Sequence, residues 1–149
     1  FDRRPEAEVM PFVKENGMGI MAYGSLAHGL LTGTWKADKT FGDDDWRRSG
    51  ANFGINSWGP DNLAANVAVV EKLKMIAADH GKTIPQLAIA WVLANKIVSV
   101  ALAGSVTPAE ATDNLGGDWE MSVDLRKEID DLVFAEGSGV GKSGMEIAT

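Results

Sequence analysis

The sequence predicts an α/β protein with a parallel sheet, on three observations. Two short apolar runs, 18–23 and 97–103, read as strands; each ends at a glycine, Gly24 or Gly104; and helical patterns stand before, between and after them. Strands that alternate with helices pair in parallel through right-handed crossovers. Two strands cannot close a barrel or cover several helices, so this pattern is expected to belong to a larger domain.

Each element has a local cause. Pro5 suits the first position of a helix that carries Val9, Phe12 and Val13 on one face and stops at Gly17. Met18–Tyr23 is expected to be a buried strand. A polar, glycine-rich stretch over about 34–60 follows, a length uncommon in a compact domain unless the loop is functional or mobile. Leu63, Val67, Val70, Leu73 and Ile76 recur three or four apart, which predicts a helix over 62–80 that Gly81 ends. Thr83 and Gln86 have the spacing of a capping box for a helix over 84–95, with Leu87, Ala88, Trp91 and Val92 on its core face. A strand over 97–103 and a helix over 108–115 come next. Ser122 caps a last amphipathic helix with Leu125, Ile129, Leu132 and Val133 inward.

Composition narrows the function classes. The chain has 149 residues, 45% of them hydrophobic and 23% charged, which fits one globular domain. A net charge of −7 argues against nucleic acid and acidic membranes as partners. Without cysteine there is no disulfide framework, thiolate metal site or cysteine nucleophile. No apolar run approaches the roughly 20 residues that span a bilayer, and no signal segment opens the chain. A cytoplasmic location is expected. Phe1–Pro5 reads like the interior of a protein, so the sequence is expected to be a fragment, with residues 1–137 part of one domain and 138–149 a flexible tail.

The two glycine exits carry the chemistry. A strand that turns at glycine into a helix N-terminus aims unpaired backbone N–H groups and a positive dipole end at one spot, which suits a phosphate. Gly104, Ser105 and Val106 form such a turn, although ordinary strand–helix turns look the same. Thr107-x-x-Glu110 has capping-box spacing, so Glu110 either reaches back to the Thr107 N–H or accepts from a ribose hydroxyl. Asn114, one turn on, faces the same side or is merely an exposed helix end. Tyr23, the only tyrosine, stands at the carboxyl end of the first strand, where such sheets bind ligands; packing suits it better than acid catalysis.

His28 and His80 are too far apart in sequence to suggest a metal site. Asp43, Asp44 and Asp45 read as solvated loop charges, while Arg47 and Arg48 could reach over a bound anion. The glycine-rich run ending in Lys142-Ser143 misses P-loop spacing, because Glu136 occupies the required glycine position.

The segments AYGSLAHGLLTG (22–33), DWRR (45–48), NLAANVAVVEKLKMIAADHGKTIPQLAIAWVLAN (62–95) and AGSVTPAEATDN (103–114) resemble, in this order, the C-terminal half of an aldo-keto reductase. The likeness runs from Phe1 to about Gly137. It implies a partial (β/α)8 TIM barrel: strands 7 and 8 with their helices, and the terminal outer helix, of a fold that needs about 250 residues. It also implies hydride transfer between NADPH or NADH and an aldehyde or ketone. The family's catalytic Asp, Tyr, Lys and His come from earlier strands, so no catalytic residue carries over.

Cofactor binding does carry over. Tyr23, Gly24, Ser25, Leu26, Ala27 and His28 match the strand-seven loop along the pyrophosphate. Gly104, Ser105, Val106, Glu110, Asp113 and Asn114 match the turn and helix that hold the adenosine end, and Arg48 or Arg47 matches a loop arginine over the cofactor. Several positions depart from the family pattern. Gly24-Ser25 stands for a usual Ser-Pro, and Thr34 for a common lysine. Val106 often has a basic residue in its place and cannot pair with a 2′-phosphate. Glu110 replaces a common glutamine and would repel that phosphate. Weak preference for NADPH, or use of NADH, is therefore expected. The resemblance also admits a cofactor-binding regulatory module like the channel-associated β subunits, or an inactive truncated product; a homo-oligomer is left open.

Overall fold

The computed structural model describes residues 1–50 and 54–138. The expected flexible tail, beyond Ser138, and the glycine-rich run up to Ser143 lie outside the described residues. In chain order the elements are α1 (Val9–Glu15), β1 (Ile20–Ala22), α2 (Pro60–Asp79), α3 (Ile84–Leu93), β2 (Val98–Ala101), α4 (Pro108–Leu115) and α5 (Val123–Glu136). Short 3-10 turns occupy Arg4–Glu6, Ala27–Thr32 and Trp46–Ser49.

β1 and β2 form a two-stranded parallel sheet. Ile20 pairs with Val98, Met21 with Val100 and Ala22 with Ala101, with a bulge between Ile20 and Met21. The Leu102 N–H donates to the Ala22 carbonyl at 2.9 Å, carrying the pairing to the carboxyl end. Parallel pairing across the intervening helices is the arrangement that strand–helix alternation demands.

The expected helix at Pro5 is instead a tight turn. Arg3 Nε donates to Glu6 Oε1 at 2.8 Å and Arg4 Nε to Asp2 Oδ1 at 2.9 Å, which holds the chain in one 3-10 turn. α1 begins only at Val9 and turns Val13 inward, leaving Val9 and Phe12 exposed. The first strand is not buried either: Met21 is 65% exposed. Strand side chains alternate between faces, and the helices cover only one of them among the described residues.

The later elements match their patterns closely. Pro60 opens α2 two residues earlier than predicted, because proline needs no N–H at a first helical position. Gly81 takes φ +65° just past α2, the left-handed turn by which helices commonly end. Thr83 and Gln86 close the predicted capping box of α3. α3 ends at Leu93 because Asn95 organises a turn into β2: its carbonyl accepts the Val98 N–H at 2.8 Å and its Oδ1 accepts the Ile97 N–H at 3.2 Å.

The core lies between α2, α3 and α5. Leu63, Val67, Val70 and Leu73 of α2 meet Ile84 and Leu87 of α3 and Leu125 and Ile129 of α5, with Leu30 and Trp58 from the intervening loop. Each such side chain contributes about 1.5–3 kcal/mol by leaving water. Asn66, fully buried at 0% exposure, is the polar exception. Its Nδ2 donates to the carbonyls of Ser57 and Ser138, both at 2.7 Å, and its Oδ1 accepts the Ser138 N–H at 2.8 Å. This staples the loop before α2 and the segment after α5 to one helix. Among the described residues no helix is long and apolar enough to cross a membrane.

Candidate cofactor-binding site

The register of the sheet sets the site. Ala22 and Ala101 are paired, so the chain leaves both strands side by side at one end, through Tyr23–His28 and through Ala103–Val106. The two segments singled out in the sequence are thus neighbours, as their parallel pairing requires.

The first exit is tightly folded. Gly24 takes φ +73°, and a Cβ built there would lie 3.4 Å from His28 Nε2. Ser25 Oγ donates to the Ala22 carbonyl at 3.2 Å, and the Ala27 N–H to the Gly24 carbonyl at 2.8 Å. Ser25 and Leu26 are buried. Ala27 and His28 both hold positive φ, at +47° and +57°, a conformation uncommon in non-glycine residues and found most often at functional sites.

Rings from distant segments support that strained turn. The His28 imidazole lies 5.5 Å from Tyr23, 5.2 Å from Trp46 and 5.3 Å from Trp58, measured between ring centres. Burial, and then the nearby Arg47 charge, lower the pKa of His28 below its usual 6.5. Tyr23 is 69% exposed at the mouth of the turn.

Arg47, rather than Arg48, reaches this exit. Arg47 Nη1 donates to the His28 carbonyl at 3.2 Å, while its Nη2 meets Asp45 Oδ2 at 2.6 Å. The Asp45 side chain accepts both the guanidinium and the Arg47 backbone N–H, and its pKa falls to about 2. Trp58 Nε1 donates to the Arg47 carbonyl at 3.0 Å, tying the long loop down a second time. Arg48 instead forms an exposed ion pair with Asp43.

The second exit is open. Gly104 has no left-handed φ, and a Cβ built on it would meet nothing within 4 Å. Neither backbone conformation nor packing among the described residues therefore demands glycine there. Val106 is 94% exposed. Asn114 Nδ2 donates to Ser105 Oγ at 3.0 Å, bringing these two predicted residues together.

Glu110 departs from the expected capping box. Thr107 Oγ1 accepts the Glu110 N–H at 3.2 Å as predicted, but the Glu110 carboxylate accepts the Val106 N–H at 2.7 Å, one residue before the cap. It thereby occupies one of the backbone donors expected to face a phosphate. Asp113 faces α3: its Oδ2 accepts from Thr83 Oγ1 at 2.9 Å and its Oδ1 from Gln86 Nε2 at 3.0 Å.

Trp46, Trp58 and Asn66 escaped the sequence reading. Each acts through contacts with residues distant in sequence, and no local pattern reports such contacts. Among the described residues, no group of three or more His, Cys, Asp or Glu could hold a metal ion.

The profile of the Aldo/keto reductase family matches residues 1–128. The chain is similar to Aldo-keto reductase YhdN of Bacillus subtilis (strain 168), 30% identical over 136 residues, covering 89% of this chain and 39% of that protein. It is also similar to the NADH-specific methylglyoxal reductase of Escherichia coli (strain K12), 30% identical over 114 residues, covering 76% of this chain and 33% of that protein. Among solved structures it is similar to the glycerol dehydrogenase AKR11B4 from Gluconobacter oxydans. That match has a TM-score of 0.74 and 27% identity over 89% of this chain and 39% of that one. The chain thus spans between a third and two-fifths of these relatives. Such neighbours imply a (β/α)8 barrel, with which the mixed α/β architecture agrees.

Proposed function

The chain belongs to the aldo/keto reductase family, and from that premise we propose that it is the cofactor-binding portion of an NAD(P)H-dependent reductase of aldehydes or ketones. In this reading β1 and β2 are strands seven and eight of the barrel, α1–α4 are outer helices and α5 is the terminal one. Residues 1–137 then form part of one domain. The catalytic Asp, Tyr, Lys and His of the family are expected upstream, and this chain alone is expected to be inactive.

One observation supports the reading above the others: Ala22 and Ala101 are paired in register, so both glycine exits open at the same edge of one sheet. Ligands of parallel α/β sheets and barrels bind at that edge. The residues present fit a nicotinamide dinucleotide. Gly104 stands in open space at the turn, and Ser105 and Asn114 supply polar groups beside it. Tyr23, Gly24, Ser25, Leu26, Ala27 and His28 would line the diphosphate, and Arg47 is nearer to them than Arg48. When bound, the nicotinamide supplies a hydride to the carbonyl carbon, or takes one in reverse. This chain's residues bind and orient; they move no proton in the reaction.

The Glu110 carboxylate at the Val106 N–H favours NADH over NADPH. A carboxylate repels a 2′-phosphate, whereas it accepts a hydrogen bond from a free ribose hydroxyl. Titration of the full-length protein with each nucleotide, followed by tryptophan fluorescence, tests both statements. Saturable binding with tighter NADH is expected. Failure to bind either nucleotide defeats the cofactor reading, and a large NADPH preference defeats the role given to Glu110.

A further inference from the structure

The first glycine exit is held in shape from outside. Ala27, His28 and Gly29 take positive φ in succession, at +47°, +57° and +112°. L residues rarely adopt this conformation, because Cβ crowds the neighbouring carbonyl oxygen. Such a turn persists only where its surroundings impose it.

One side chain of the long loop meets this turn at its backbone. Arg47 Nη1 donates to the His28 carbonyl at 3.2 Å, across 19 positions of sequence. A Cβ built on Gly29 would stand 3.2 Å from the same nitrogen and 2.9 Å from the Trp35 ring, so turn and guanidinium are packed together. Asp45 fixes the other side of the guanidinium. Its carboxylate accepts from Nη2 at 2.6 Å and from Nε at 2.9 Å, a fork that lysine does not offer. The Arg47 backbone N–H adds a bond to Asp45 Oδ1 at 3.0 Å, and the Phe41 ring centre lies 5.2 Å from the guanidinium carbon.

Arg47 is therefore poorly placed to act as a free cation over a dinucleotide. Its charge is matched by Asp45, and its fork is divided between a carboxylate and a carbonyl. We propose that Asp45 and Arg47 are positioning residues, a clamp that keeps the Ala27–Gly29 turn ready for the diphosphate without gripping the ligand. The clamp raises the fraction of molecules whose exit is already folded for binding, and apparent affinity scales with that fraction. This role rests on the cofactor reading, yet it differs from that of an arginine that holds the phosphates itself.

Two variants separate those roles by sign. If Arg47 gripped the diphosphate, Asp45→Asn would free its charge and tighten NADH binding, and Arg47→Lys would keep much of it. A clamp predicts the reverse. Asp45→Asn and Arg47→Lys should each weaken NADH roughly tenfold, as fits a turn that is ready in about one molecule in ten. In stopped-flow mixing of NADH with the full-length protein, the loss should appear as slower association with an unchanged dissociation rate. Without nucleotide, amide hydrogen exchange over 26–33 should quicken in both variants while α2 and α3 exchange as before. Tighter NADH binding by Asp45→Asn, or wild-type affinity in Arg47→Lys, overturns the clamp. Unchanged exchange over 26–33 does so too. A parent protein that binds no NADH defeats the cofactor reading and this role with it, whereas binding that both variants leave intact defeats the clamp alone.

Discussion

The Glu110 carboxylate accepts the Val106 backbone N–H at 2.7 Å, placing a negative side chain on the turn where β2 hands over to α4. Removing that charge while keeping the side-chain shape isolates its effect. Glu110→Gln is expected to raise NADPH affinity relative to NADH by about fivefold, the equivalent of the roughly 1 kcal/mol that two unit charges exchange in water at about 4 Å. Parallel titrations of the full-length protein and the variant measure the ratio; no change would remove Glu110 from cofactor selection.

Asp113 makes a different prediction, because its carboxylate binds Thr83 and Gln86 at the start of α3. Asp113→Ala is expected to lower stability by about 1.5–3 kcal/mol, the scale of a lost hydrogen bond to a charged group. Nucleotide affinity should stay within twofold. A denaturant midpoint that stays put while affinity collapses would show that Asp113 serves the ligand directly.

Asn66 is the buried staple. Asn66→Ala leaves the Ser57 and Ser138 backbone groups unpaired, each at about 1–3 kcal/mol before relaxation. A loss of at least 2 kcal/mol in chemical unfolding is expected, far above the ±0.5 kcal/mol of an ordinary surface change.

The pKa of His28 is lowered below 6.5 in the folded protein, chiefly by burial and then by Arg47. As pH falls, the unfolded chain takes up this proton first. Stability from this site is therefore complete above pH 6.5 and is lost as pH drops through the lower folded value. Because Trp46 and Trp58 touch the imidazole ring, their emission should follow the same titration. His28→Phe should abolish that emission step. Its persistence in the variant would assign it to another group.

Elements whose causes are local were readable in advance. α4 spans Pro108–Leu115 behind the Thr107 cap, as predicted, and Thr83 with Gln86 closes the box that opens α3. Of the five spaced residues, Leu63, Val67, Val70 and Leu73 are buried in the core and Ile76 packs against it. The site was legible only in outline. Its two glycine exits stood out, but the partners of each side chain did not. Glu110 turned to Val106, Asp113 to Thr83, and Arg47 took the position beside His28.

By itself, then, the sequence determined that helices form at α2, α3, α4 and α5, and which strands lead into a glycine. Helical periodicity, caps and backbone freedom act over four or five residues. Tertiary structure alone decided that Ala22 stands beside Ala101, that Trp46 and Trp58 close on His28, and that Asn66 is buried between Ser57 and Ser138. Those outcomes depend on how distant surfaces exclude water and share hydrogen bonds, which no short window of residues encodes.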